Sequence, residues 1–442
     1  MRNLRICAVL AVGLAWSGAV AAEEPTLQEL LARLQQMETR IADLEKQLEL
    51  AKTLSPPVAP DLEDVRALVR EELAGKPAAA MPAWADSLKF GGRFRLRSEW
   101  IADRDAVPGG VPIADRYRSR YLLQFGFEKA VTDELLLGFG LSSGPADPTT
   151  ANQTMGTAFQ RGSIWVDKAY LQYSPKSVPG LSFLAGRHPN NWDPVGTQMM
   201  WDSDINPEGL QARYAFDLGE RVKPWVQAEY FLVYEHDPTV AADLGRSTDT
   251  ALVALQAGSK FSLADGVDLT TTASYYDLKN PHDPTFGGAT FSRNDAWSGG
   301  NTTVGAGASK HLAADFRIAD LGAEVAFKAG NVPCAAFGNY VRNFGASGGS
   351  DTGWKAGFRI NKVKQKGDWA FQADYANVER DAVIAYFGES EHYYSNYRGP
   401  SARISYGLLN NTTLSGTVYW LDRVSGGDDS ILLSQLDLTV RF

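Results

Sequence analysis

The chain is poor in cysteine, in positive charge, in histidine and in long apolar runs. Its 442 residues hold 2 cysteines, Cys7 and Cys334. Cys7 falls in a stretch that reads as an export leader, so Cys334 is left alone and no intrachain disulfide is possible. An exported chain of this length without disulfides needs another source of stability, such as a large closed sheet. Lys and Arg number 43 against 52 Asp and Glu, a net charge of −9. Loss of Arg2 and Arg5 with the leader makes the balance more acidic still. Nucleic acid is thereby disfavoured as a partner, because phosphate binding needs a basic face. Beyond the leader no segment offers about 18 uninterrupted apolar residues, so no transmembrane helix is expected. The mean hydropathy of −0.24 still admits a membrane barrel, in which only alternate residues face lipid.

Catalytic and metal-ligating patterns are lacking too. The 5 histidines, His188, His236, His282, His311 and His392, are scattered without metal-ligand spacing. Asp202, Asp204 and Asn206 match the first half of a calcium loop, but Pro207 replaces its glycine and Arg213 its final glutamate. Gly345, Ser347 and Gly349 have the letters of a hydrolase elbow in a glycine-rich loop with no helix signal after it. We expect no enzyme, no cofactor and no metal.

What is present divides the chain into four. Arg2 and Arg5, the apolar Ile6 to Val20 and the small residues Ala19 to Ala22 form a secretory signal peptide over 1–22. Over 23–54, Leu27, Leu30, Leu34, Met37, Ile41, Leu44, Leu48 and Ala51 repeat at alternating steps of three and four, the seam of an α-helical coiled coil. Arg33 and Arg40 stand five residues before Glu38 and Glu45, a pairing that favours a parallel bundle. Both runs resemble a short motif of trimeric coiled coils, so a homotrimer is expected, with a dimer as the alternative. Residues 55–87 are a Pro/Ala-rich linker: Pro56, Pro57 and Pro60 stop the helix, and Asp61 can cap a short one to about Leu73.

The remainder, 88–442, alternates apolar and polar residues. The pattern predicts strands at 88–100, 116–128, 135–143, 164–173, 181–187, 209–216, 225–235 and 250–261. It predicts eight more at 267–276, 316–328, 332–343, 353–360, 369–378, 397–408, 412–423 and 431–442. Sixteen antiparallel strands joined alternately by short turns and long polar loops describe an all-β transmembrane barrel; eighteen is the alternative count. Trp100, Tyr173, Tyr234, Trp369 and Trp420 fall near strand ends, as interfacial girdles do.

The first two strands decide which face is wet. Phe90, Phe94, Leu96 and Trp100 alternate with Arg93, Arg95, Arg97 and Glu99; Tyr117, Tyr121, Leu123 and Phe125 alternate with Arg118, Arg120 and Gln124. An arginine facing mid-membrane lipid costs about 2–4 kcal/mol, so these arginines must face a lumen. Paired as a hairpin they form a ladder that attracts small anions, or they balance lumen acids such as Glu99, Glu128 and Asp437. At the other end Leu436, Leu438, Val440 and Phe442 share one face, and Gln435, Asp437, Thr439 and Arg441 the other. Closure pairs this strand with the first and sets Asp437 or Arg441 beside the arginines. Pore-lining candidates are thus Arg93, Arg95, Arg97, Arg118, Arg120, Asp437 and Arg441.

The ending on Phe442 resembles the terminal strand of bacterial outer-membrane barrels, whose assembly machinery reads a C-terminal aromatic. Ala185-Gly186-Arg187-His188-Pro189, followed by Met200-Trp201-Asp202-Ser203-Asp204-Ile205-Asn206-Pro207-Glu208-Gly209, resembles Gram-negative outer-membrane porins that carry an N-terminal coiled coil. The architecture is more distantly similar to trimeric phosphate-selective porins. The resemblance implies a homotrimer in outer-membrane lipid, one pore per subunit, passing small hydrophilic solutes, with the coiled coil in the periplasm. An anion-preferring pore, a substrate-specific oxyanion channel and a secreted trimeric β-rich binding protein are the readings it leaves. By analogy the loop 188–208 folds inward and narrows the channel.

Overall fold

The computed structural model describes residue 42 and residues 87–103, 115–236, 249–282, 300–305, 310–426 and 430–442. The chain divides into two units, Met1–Ala80 and Met81–Phe442. The signal peptide, the heptad residues Leu27, Leu30, Leu34, Met37, Ile41, Leu44 and Leu48, and the linker lie outside the described residues.

Nineteen strands follow in order. They are β1 (Leu88–Asp103), β2 (Arg116–Ala130), β3 (Leu135–Ser143), β4 (Gln153–Thr154), β5 (Ile164–Tyr173), β6 (Leu181–Arg187), β7 (Glu208–Ala215), β8 (Val222–Tyr234), β9 (Thr250–Ala264) and β10 (Val267–Lys279). After them come β11 (Thr303–Val304), β12 (His311–Leu312), β13 (Arg317–Ala329), β14 (Val332–Asn343), β15 (Thr352–Ile360), β16 (Trp369–Val378), β17 (Tyr397–Leu409), β18 (Thr412–Arg423) and β19 (Ser430–Arg441). Three of them, β4, β11 and β12, are two-residue ladders inside long loops; such short pieces carry no readable period. The other sixteen pair antiparallel, each with its chain neighbours, and β1 pairs with β19 to close the barrel.

Period-two alternation sets the two faces. Leu96, Leu210, Leu255, Leu321, Ile404 and Leu436 point outward and are exposed. Trp100, Tyr173, Trp369 and Trp420 lie exposed near strand ends, as the girdle reading expected. Closure ends on a backbone pair: Gly92 N donates to Phe442 O at 2.9 Å and Phe442 N to Gly92 O at 3.1 Å. Gly92 is needed there, because a Cβ would stand 2.7 Å from Phe442 Cζ and 2.5 Å from Gln124 O.

The rims differ. One is made of short turns, such as 265–266, 330–331 and 410–411; the other carries the long connections, such as 144–163, 188–207 and 379–396. Segments 188–207 and 379–396 turn into the barrel. Trp192, Met199, Met200, Trp201 and Ile205 from the first, with Val383, Ile384 and Phe387 from the second, are buried in one apolar cluster. They pack on inward-facing Phe231, Leu252, Tyr276, Ile318, Val341 and Val378, and the cluster continues onto Tyr397, Tyr419, Leu421, Ile431 and Leu433, so the core of this barrel lies between its loops and the long-loop ends of its strands.

Candidate functional site

Strands β1 and β2 form the expected hairpin, with Arg97 opposite Arg120 and Glu99 opposite Arg118. Across the closing seam Arg97 faces Asp437, and Arg93 faces Arg441. The seven candidate residues therefore stand on three adjacent strands, but their charges are not equivalent.

Arg97 is 4 % exposed. Its Nε and Nη2 donate to the two oxygens of Asp437 at 2.7 and 2.9 Å, and its Nη1 donates to Glu391 at 2.6 Å. Desolvating an arginine is costly unless its donors are filled, and this fork is filled by a strand and a loop together. Arg118 donates to Glu99, whose other oxygen accepts from Gln435 at 2.9 Å. Arg93 pairs with Asp204 at 2.9 Å and donates to Gln124 at 2.6 Å. Arg95 donates to Asn152 Oδ1 at 2.8 Å, and Arg120 to Asn152 O at 3.0 Å and Thr150 Oγ1 at 3.2 Å. Neither of these two meets a carboxylate among the described residues. Asp437 lies 3.8 Å from Arg403 as well. Arg441 borders the same space without an acidic partner among the described residues. Glu128, expected to balance an arginine, accepts from Tyr170 OH at 2.9 Å instead.

The inward loop 188–207 crosses the lumen and is bound at both walls. His188 Nε2 lies 2.7 Å from Glu229 Oε1, and its Nδ1 lies 3.1 Å from Pro189 O. Both neighbours accept only, so the surroundings favour a proton on each ring nitrogen. Burial alone would lower the pKa of His188, but the Glu229 carboxylate raises it above the ordinary value. Trp192 Nε1 and Gln211 Nε2 fill the other Glu229 oxygen at 2.7 and 2.8 Å. At the far wall Arg359 Nη2 donates to Val195 O at 3.0 Å and Gly196 O at 2.9 Å. The chain then returns to the arginine wall, where Asp204 meets Arg93, and to β5, where Asn206 Nδ2 donates to Asp167 at 3.0 Å.

The calcium-loop resemblance has a different cause. Asp202 accepts the Asp204 N–H at 2.8 Å on one oxygen and the Ser390 N–H at 2.9 Å on the other. Both oxygens of its carboxyl group accept backbone N–H groups, a role that accounts for the spacing of Asp202 and Asp204.

Two cavities abut. One of about 330 Å³ is lined by Ser143, Asp147, Phe231, Leu252 and Tyr386. The other, about 620 Å³, is lined by Lys89, Arg93, Gln124 and Arg441. Asp167, Asp204 and Asn206 line both. A third space of about 310 Å³ is bordered by Arg93, Arg95, Arg97, Arg403 and Arg441 against Asp202, Asp204, Glu389, Glu391 and Asp437. Basic side chains come from the wall and acidic ones mainly from the loops, so opposite charges face each other around this space.

A family model described as "Putative porin" matches residues 106–285 and 309–442. The chain belongs to that porin family. Among solved structures it is similar to OprB of Pseudomonas putida, with 11% identity and a TM-score of 0.52 over 85% of this chain and 97% of that one. It is similar also to OmpF of Salmonella typhi, solved with daunomycin, with 12% identity and a TM-score of 0.49 over 82% and 100% of the two chains. Among curated proteins none matches. At these identities the OprB likeness speaks for the barrel fold alone, and the family match speaks for a porin.

Sequence reasoning missed the loop side of the site: Asp204 and Glu391 as arginine partners, Asn152 under Arg95 and Arg120, and Glu229 under His188. A signal was available. At their long-loop ends β8 and β9 lose alternation, in Tyr230-Phe231-Leu232-Val233-Tyr234 and Ala251-Leu252-Val253-Ala254-Leu255. A strand apolar on both faces has something covering each face, and here the inner cover is the loop.

Proposed function

We propose that this porin-family barrel sits in the bacterial outer membrane and forms a passive, water-filled channel for small hydrophilic solutes. Sixteen strands are enough to enclose an aqueous path. The observation that carries the reading is the pair of cavities inside the closed barrel that share Asp167, Asp204 and Asn206, the larger of them lined also by Arg93 and Arg441. The exposed apolar outer face is the counterpart that lipid requires. Pore-lining roles fall to Arg93, Arg95, Arg97, Arg118, Arg120, Asp437 and Arg441.

A modest anion preference follows from Arg95 and Arg120, whose partners among the described residues are neutral. The paired Arg93, Arg97 and Arg118 contribute a transverse field more than a net charge. In this reading the chain consists of a signal peptide 1–22, a trimeric coiled coil 23–54, a linker 55–87 and the barrel 88–442. The coiled coil in the periplasm would hold three barrels together, and Phe442 would present the barrel to the assembly machinery.

Purified protein in planar bilayers tests the pore. We expect stepwise currents and a reversal potential displaced toward the anion under a salt gradient. Absence of steps, with protein that stays monodisperse in buffer without detergent, would replace the pore by a secreted binding protein.

A further inference from the structure

The arginine wall faces two loop carboxylates, Asp204 and Glu391, that belong to different loops, and one buried residue touches the backbone beside both. Asp202 is 3 % exposed. One of its oxygens accepts the Asp204 N–H at 2.8 Å, which turns the chain so that Asp204 meets Arg93. Its other oxygen accepts the Ser390 N–H at 2.9 Å, one residue before Glu391, which meets Arg97. Its own N–H donates to Phe387 O at 2.7 Å, and the adjacent Trp201 stacks on Phe387 with centroids 5.3 Å apart.

We infer that Asp202 is a positioning residue for permeation: it clasps the inward loops 188–207 and 379–396 to each other and thereby fixes where the two acidic counter-charges stand against the arginines. The inference rests on the pore reading. Its physical basis is directional. An apolar contact such as Trp201 on Phe387 tolerates sliding, whereas a carboxylate with one N–H on each oxygen fixes two backbones at once. Its donors are backbone N–H groups at the start of two turns.

The clasp predicts a specific pattern of pore behaviour. Asp202→Ala removes both acceptors, so 379–396 loses its directional hold on 188–207 while the Phe387 contacts remain. In planar bilayers we expect roughly a twofold or larger rise in single-channel conductance, since the sixteen-stranded wall itself is wide enough for an aqueous path. Open-channel noise should rise, and the reversal potential should shift. Asp202→Asn keeps an acceptor for one of the two N–H groups and should fall between native and Asp202→Ala. Ser390→Pro removes the N–H from the other side of the same bond, while Ser390→Ala keeps it and removes only the hydroxyl contacts.

If Asp202 acts through Ser390, Ser390→Pro moves conductance and reversal potential in the same direction as Asp202→Ala and by more than Ser390→Ala. The double variant then shows less than the sum of the two, the mark of a shared contact. A residue with a merely structural role would lower thermal stability and leave the reversal potential unmoved. Native conductance, noise and reversal potential in Asp202→Ala overturn the inference, as does full additivity with Ser390→Pro. If Asp202→Ala fails to fold, the ordering of Ser390→Pro against Ser390→Ala decides alone. Failure of the native protein to pass current would be distinguishable, because it removes the pore reading itself.

Discussion

Two walls of the same lumen solve opposite problems. Around Arg93, Arg95, Arg97, Arg118, Arg120 and Asp437 of β1, β2 and β19 the inward face is charged, and the loops reach it through ion pairs such as Arg93 with Asp204 and Arg97 with Glu391. On the wall of β8 to β10, β13 and β14 the inward side chains near the long loops are Phe231, Leu252, Tyr276, Ile318 and Val341, and the loops pack on them dry. Two of the three cavities border the charged residues, and the third reaches Phe231 and Leu252. The contrast shows that the same loops are held to different parts of the wall by different forces, ion pairs in one place and apolar packing in the other.

The largest effect should come from the residue that serves wall and loop together. Arg97→Gln leaves Asp437, a buried acid, without its bidentate partner. Breaking a buried pair in this way costs about 3–5 kcal/mol. Urea unfolding in detergent micelles should show that loss at the β1–β19 seam; a change near zero would mean the pair is solvated. Trp192→Ala probes the dry wall. Trp192 is 1 % exposed, between Phe231 and Tyr276. Truncating a buried aromatic costs about 3–5 kcal/mol, but here much of it should appear as loop release, read as faster proteolysis within 188–207 on an intact barrel.

A smaller effect follows from pH, which touches the two loops with opposite signs. Burial pushes the Glu391 carboxyl up, but the Arg97 guanidinium outweighs it and holds the group at about 2. Its contribution is present above its ordinary value near 4.5 and is lost as pH falls toward about 2. His188 is raised by Glu229. Its contribution is complete below its ordinary value of 6.5 and is lost as pH rises through the raised one. Open-channel noise should be least between these limits and rise on both sides; His188→Gln should remove the alkaline rise only. The smallest effect is electrical. Replacing Arg95 and Arg120 by glutamine should move the reversal potential away from anions and leave unfolding nearly unchanged, since neither makes an ion pair among the described residues.

The wall was legible in the sequence because its signal is local. Alternation from Leu88 to Trp100 and from Leu436 to Phe442 is a property of neighbours, and so the sixteen strands and the Arg97–Asp437 meeting could be anticipated from period and closure. Boundaries moved by a few residues where strands run on past their lipid-facing part, as in β9 to Ala264 and β10 to Lys279. The loops were not legible in the same way. Asp204 meets Arg93 across 111 residues, and Glu391 meets Arg97 across 294. No local period encodes such a contact. Asp202, Asp204 and Asn206 were visible as a spacing, but that spacing is shared by cation loops and by turns that cap their own backbone. Only the position of the Ser390 N–H separates the two.

The central claim is a hydrated path past the arginine wall, and single-channel recording in planar bilayers under a salt gradient tests it most directly. The account predicts discrete steps, with a reversal potential on the anion side that moves toward zero when Arg95 and Arg120 become glutamine. Discrete steps whose reversal potential ignores that replacement would contradict the placement of the path, and a bilayer that stays silent would contradict the channel.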